Sequence, residues 1–195
     1  MKQNITKTDY EVAAKKLGCL PAAIEAVANV ESNGNGFNSD GTPKILFEGH
    51  VFWRNLGEYG INPWNHYTNE HRDVLHPKWT KAFYKGGIKE HNRLAEAVSI
   101  HREAALESAS WGKFQVLGDH WARLGYKRLQ DFINDAYESE AKHLHMFVMF
   151  IKTDSKLLTA IRRLDWKDFA FRYNGPGYKK NDYDKKMERE FKRLK

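Results

Sequence analysis

The stretch from Pro21 to Trp53, PAAIEAVANVESNGNGFNSDGTPKILFEGHVFW, sets a helix, a glycine-rich turn and a strand in immediate succession, with an acid at the end of each regular piece. Pro21 suits the first position of a helix, because its missing N–H and fixed φ cost nothing there. Ile24, Val27, Ala28 and Glu31 then recur at the spacing of one helical face. Glu31 therefore points where the apolar residues point, in the last turn, where the helix dipole disfavours negative charge. Desolvation and the dipole both push a carboxyl group toward its protonated form, which suits a general acid near neutral pH. The turn clusters Asn33-Gly34-Asn35-Gly36 and Asp40-Gly41-Thr42-Pro43 come next, followed by the β-favouring run Lys44-Ile45-Leu46-Phe47-Glu48. In that strand Glu48 shares a face with Lys44 and Leu46, opposite Ile45 and Phe47. The pattern predicts a small β-hairpin between Phe37 and Glu48, with Glu31 and Glu48 on opposite walls of a cleft. Glycoside hydrolysis requires such a pair: one acid protonates the leaving oxygen, and the other activates water or supports the positive charge developing on the sugar.

The rest of the chain reads as mainly helical. Helices are expected over about residues 10–17, 50–56, 91–108, 119–124, 131–152, 155–164, 165–172 and 182–195, with 131–152 apolar over most of its circumference and so central. Residues 58–87 form an aromatic-rich loop in which Trp64, Tyr67, Trp79, Phe83 and Tyr84 either pack locally or stack on sugar rings, and Trp53 either packs in the core or borders a sugar site. His66, His71 and His76 recur at intervals of five, a spacing that matches no helical metal motif, so no metal or other cofactor is expected. His101 falls on an apolar helical face and reads as a core histidine. With 195 residues, 41% of them hydrophobic, the chain fits one globular domain. A net charge of +7 calls for an anionic partner: nucleic acid, an acidic membrane surface or cell wall. Zinc-finger spacing, an RNP-type aromatic motif and a basic heptad region are all missing, which argues against nucleic acid. The single cysteine, Cys19, excludes an intrachain disulfide framework and fits synthesis in a reducing cytoplasm. The first ten residues, MKQNITKTDY, contain no apolar signal-peptide core.

Four segments in order resemble the motifs of phage-type N-acetylmuramidase endolysins, a family of the lysozyme-like superfamily related to goose-type lysozymes and lytic transglycosylases. They are Glu31-Ser32-Asn33-Gly34-Asn35-Gly36-Phe37, Lys44 to Phe52, Ser108 to Gly118, and Tyr173-Asn174-Gly175-Pro176-Gly177-Tyr178. The first runs ESNG where ESGG is usual, and Gly49 stands where an arginine is usual. The resemblance implies an α+β, mainly α lysozyme-like fold with the hairpin beside the cleft, and a single catalytic domain over 1–195 without a separate wall-binding domain. It implies cleavage of the β-1,4 bond between N-acetylmuramic acid and N-acetylglucosamine in peptidoglycan, with a lytic transglycosylase or a non-catalytic wall-binding module as the alternatives. Glu31 would be the general acid and Glu48 the second carboxyl group, with Asp40 its competitor. Trp111, Phe114 and Gln115 would line the sugar site, Gln115 as a hydrogen-bond donor, and Tyr173 and Asn174 would stand beside the acid. Nothing in the sequence demands an oligomer, so a monomer is expected, and the resemblance implies that the protein, made in the host cytoplasm, reaches the wall through holes made by a holin. The basic helix at 182–195 is a candidate contact for lipopolysaccharide or anionic lipid.

Overall fold

The computed structural model describes residues 4–32 and 34–195; Asn33 of the glycine-rich turn and the first three residues of the N-terminal segment lie outside the described residues. Helix α1 (Lys7–Leu17) opens on a capping box: the Thr6 hydroxyl accepts from the Asp9 N–H, and the Asp9 carboxyl accepts from the Thr6 N–H at 2.7 Å. It ends at Gly18, whose φ of +66° is the left-handed stop that favours glycine. Helix α2 (Pro21–Glu31) starts on its proline and terminates on the acid. Ala23, Ile24, Ala26, Val27 and Ala28 are all fully buried, because α2 is wedged between α1 and the C-terminal helix α10 (Tyr183–Leu194).

Strand β1 (Ile45–Phe47) leads directly into α3 (Gly49–Glu58), with Glu48 at the helix's N-cap position. An irregular segment, interrupted by a 3-10 turn at Pro63–Asn65, connects to α4 (Lys89–Ile100) and α5 (Arg102–Glu107). The helix expected over 91–108 is thus broken at His101, which is extended and accepts the Ala104 N–H on Nδ1 at 3.2 Å. A histidine read as core is a helix cap. Strands β2 (Ala109–Trp111) and β3 (Val116–Leu117) follow, then α6 (Leu129–Glu138) and α7 (Glu140–Thr153). The helix expected over 131–152 is likewise split, at Ser139, whose hydroxyl accepts from the Lys142 N–H. In both places a polar side chain offers the backbone an alternative partner, which apolar periodicity does not register. The chain closes with α8 (Ser155–Arg163), α9 (Trp166–Asn174) and α10. Helix α7 is central as expected: Met146, Phe147, Val148 and Ile151 are buried, and it packs on α1, α6, α8 and β3.

The sheet differs from the expected hairpin. Residues 37–43 close with a single bridge, Phe37 to Pro43, and β1 instead pairs antiparallel with β2, Ile45 opposite Trp111 and Phe47 opposite Ala109. The hairpin beside the cleft is β2–β3. Two buried carboxyl groups anchor the irregular parts. Glu90, fully buried, accepts the N–H groups of Phe47, Lys85 and Gly86 and pairs with Arg93 at 2.7 Å. Burial pushes its pKa up, but these donors outweigh that and hold it below the usual carboxylate range.

Glu140, in the first turn of α7, does the same for the turns that flank the cleft. Its carboxyl accepts the Gly36 N–H at 2.6 Å and the Lys113 ammonium at 3.0 Å. One turn along, His143 Nδ1 accepts the Lys113 N–H at 3.1 Å, so Nε2 carries the proton it donates to the Ala136 carbonyl at 2.7 Å. The imidazole fills the space beside two glycines: a Cβ on Gly36 would lie 2.5 Å from it and one on Gly112 would lie 2.6 Å away. Truncating Glu140 to alanine leaves the buried Gly36 N–H without its acceptor and the part-buried Lys113 ammonium without its counter-ion. The substitution is expected to lower the unfolding free energy by about 3–5 kcal/mol, measured by urea denaturation.

Candidate active site

Glu31 sits at the C-terminal end of α2, where the helix delivers it to a cleft of about 310 Å³. The cleft is lined by Glu31, Phe114, Gln115, Val116, Leu117, His120, Phe150, Tyr173 and Asn174. Four separate parts of the chain meet there: α2, the β2–β3 hairpin with its following turn, α7, and α9. Desolvation raises the Glu31 pKa from an ordinary 4.5 to about 7, and the hydrogen bond from Asn174 Nδ2 to its Oε1, 2.8 Å, opposes the rise only in part. The position at the negative end of the helix acts in the same sense as burial.

Tyr173 and Asn174, the last residues of α9, are brought beside Glu31. The Tyr173 hydroxyl donates to the Phe114 carbonyl at 3.2 Å, and its ring packs among Phe147, Phe150 and Phe169. Burial, and next the neighbouring Glu31, push the phenol pKa far up, so it stays a neutral hydrogen-bond donor. Phe114 is buried and stacked on Phe147 at 4.6 Å, forming the cleft floor. Gln115 lies in the left-handed region at φ +50°, a conformation disfavoured for a residue with a side chain. Its side-chain amide holds the turn in place by donating to the Gly112 carbonyl at 2.8 Å and to the Lys44 carbonyl at 3.3 Å. Both donor hydrogens expected for substrate are therefore used within the protein, and its carbonyl oxygen is the group left for a ligand.

Three expected site residues lie elsewhere. Trp111 is 1% exposed and donates from Nε1 to the Leu106 carbonyl at 3.0 Å, so it is core. Asp40 is exposed and accepts from the Thr42 N–H and hydroxyl in a local turn. Glu48 does not line the cleft that Glu31 lines. It accepts from the Tyr84 hydroxyl at 2.5 Å and lies 3.6 Å from His50 Nδ1. The topology explains this, because β1 is the strand farthest from β3 in a sheet ordered β1-β2-β3. Glu31 is the one carboxyl group on the cleft wall among the described residues. His120, unforeseen in the sequence, also lines the wall; burial, then the Arg123 charge, lowers its pKa and keeps the imidazole neutral. Its sole sequence signal is position, two residues after the Ser108–Gly118 motif.

A family model described as N-acetylmuramidase matches residues 20–195. Among solved structures, the endolysin of Burkholderia AP3 phage is similar, at 39% identity and a TM-score of 0.92, over 98% of this chain and 71% of that one. No curated protein matches the chain. A mainly α, lysozyme-like fold with an acid of raised pKa in its cleft accords with both likenesses, and the chain belongs to the N-acetylmuramidase family of peptidoglycan hydrolases.

Proposed function

We propose that Glu31 is the general acid that cleaves the β-1,4 bond between N-acetylmuramic acid and N-acetylglucosamine, the carrying observation being its desolvated carboxyl group in the cleft. The Asn174 N–H donates to Oε1, which leaves Oε2 to carry the acidic proton. Protonation of the glycosidic oxygen from Oε2 lets the bond break toward an oxocarbenium-like sugar. His120, neutral and also lining the cleft, is the group available to orient the attacking water. In this reading Glu48 is structural, holding Tyr84 and the entry to α3. The enzyme acts on the wall after holin-type release.

The reading extends to anionic lipid in one limited form. Met187 and Phe191 of α10 are buried, with Phe191 against Trp166, so the helix has spent its apolar face on packing. Contact with lipopolysaccharide or anionic lipid is then electrostatic, through Lys186, Arg189, Lys192 and Arg193. Vesicle binding should disappear at high salt, and salt-resistant binding would exclude this form of contact.

Replacing Glu31 with Gln is expected to lower peptidoglycan turnover by at least ~100-fold, while Glu48→Gln retains most activity, both followed by wall turbidity. A Glu48→Gln enzyme as inactive as Glu31→Gln, with an unchanged melting temperature, would return Glu48 to catalysis. Mass spectrometry of the digest should show reducing ends; 1,6-anhydro ends would reassign the step to transglycosylation.

The pH dependence has a definite sign. A general acid must start protonated, so turnover should fall as pH rises through about 7. Stability follows the same group: the folded state favours the neutral carboxyl, so its contribution is complete below 4.5 and is lost as pH rises through about 7. Glu31→Gln lacks that loss, and its melting temperature relative to wild type should increase over this window. A constant difference from pH 4 to 8 would contradict the raised pKa.

A further inference from the structure

The loop between α3 and α4 carries a feature that the cleft chemistry does not use. Five of the nine large hydrophobic side chains exposed among the described residues lie between Tyr59 and Ile88, which concentrates exposed apolar surface on one segment. Trp64 and Tyr67 of this segment form a mutually perpendicular cluster with Trp53 of α3. Trp53 to Trp64 is 4.7 Å between centroids at 86°, Trp53 to Tyr67 is 5.7 Å at 80°, and Trp64 to Tyr67 is 5.6 Å at 87°. Trp64 is nevertheless 62% exposed and Tyr67 42% exposed.

The cluster is rigidly built. Trp53 comes from α3 and packs on the core, while Trp64 sits in the 3-10 turn started by Pro63, with its N–H donated to the Asn62 side chain at 3.1 Å. The loop is pinned farther on by fully buried Val74 and Leu75, and by Arg93 donating to the Asp73 carbonyl at 2.6 Å. On α3, Arg54 pairs with Asp119 at 2.6 Å, which ties the helix bearing Trp53 to the segment that supplies His120 to the cleft.

We propose that this cluster is a second glycan-binding platform, on which an N-acetylhexosamine ring of the peptidoglycan strand stacks against the exposed face of Trp64. Centroid separations below 6 Å fill the space between the rings, so the cluster is not a cage for a cation, and a ligand lies on its outer face. A β-linked pyranose presents a flat face of C–H groups that matches an indole, and a backbone-locked indole loses little entropy on binding. The family's substrate is a polymer, so a sugar held outside the cleft raises the local concentration of the bond to be cut. The net charge of +7 complements the carboxylates of the wall.

The test compares the full-length wild-type protein with Trp64→Ala, Trp64→Phe and Trp79→Ala. Trp79 is 59% exposed and outside the cluster, and so serves as the control. Co-sedimentation with purified insoluble peptidoglycan at low temperature should show Trp64→Ala weakened about fivefold to tenfold, from the ~1 kcal/mol scale of an aromatic contact. Trp64→Phe should fall between, and Trp79→Ala should match wild type. Turnover of a soluble peptidoglycan oligosaccharide should be equal in all four, because the cleft is untouched. Unchanged wall binding by Trp64→Ala overturns the proposal. So does an equal loss in Trp79→Ala, or a loss restricted to anionic vesicles, which would make the patch a lipid surface. A parallel loss of soluble-substrate turnover would place Trp64 in the cleft and overturn it as well. Binding is read independently of Glu31, so failure of the general-acid assignment leaves the result interpretable.

Discussion

The first turn of α7 holds the active-site region together. Glu140 and His143 leave this helix one turn apart and between them bind the turn after Glu31, through the Gly36 N–H, and the turn before Gln115, through both the backbone and the ammonium of Lys113. The Lys113 ammonium also donates to the Gly34 carbonyl at 3.0 Å, so the two turns are tied to each other as well as to the helix. Neither turn has regular secondary structure to satisfy its polar groups. A buried acid and an imidazole do so instead, and glycines at 36 and 112 let the imidazole approach.

With the turns held, the cleft can be dry where it needs to be. Phe114, Phe150 and the Tyr173 ring form an apolar wall around a carboxyl group that would be ionised at neutral pH in water. The same packing that desolvates Glu31 presents Asn174 to one of its oxygens and leaves the other free. The raised pKa of Glu31 is thus a property of the core, reached through a run of aromatic contacts in which Phe114 stacks on Phe147 and Phe147 meets Tyr173 edge-on.

Local signals were reliable where one element explained itself. The start of α2 at Pro21, its end at Glu31, the stop at Gly18 and the apolar run of α7 are all written in neighbouring residues, as is the orientation of Glu31 toward the apolar side. The same local logic failed at His101 and Ser139, where a polar side chain caps a new helix within a continuous apolar pattern. For Trp111 it was the family resemblance that implied a place lining the sugar site, whereas the indole is buried and bonded to the Leu106 carbonyl.

The chain's local chemistry alone settles that Glu31 ends a helix on its apolar face, that a glycine-rich turn follows, and that Tyr173-Asn174 ends another helix. Those are matters of periodicity, capping and φ preference within a few residues. Which groups then meet is decided over distances in sequence that no local rule spans. Asn174 reaches Glu31, β1 pairs with β2 in place of its nearest neighbour, and His120 joins the wall while Glu48 is carried to the far edge of the sheet. Burial is a sum over elements packed from every side, so the raised pKa of Glu31 and the loss of Glu48 from the cleft belong to the tertiary structure.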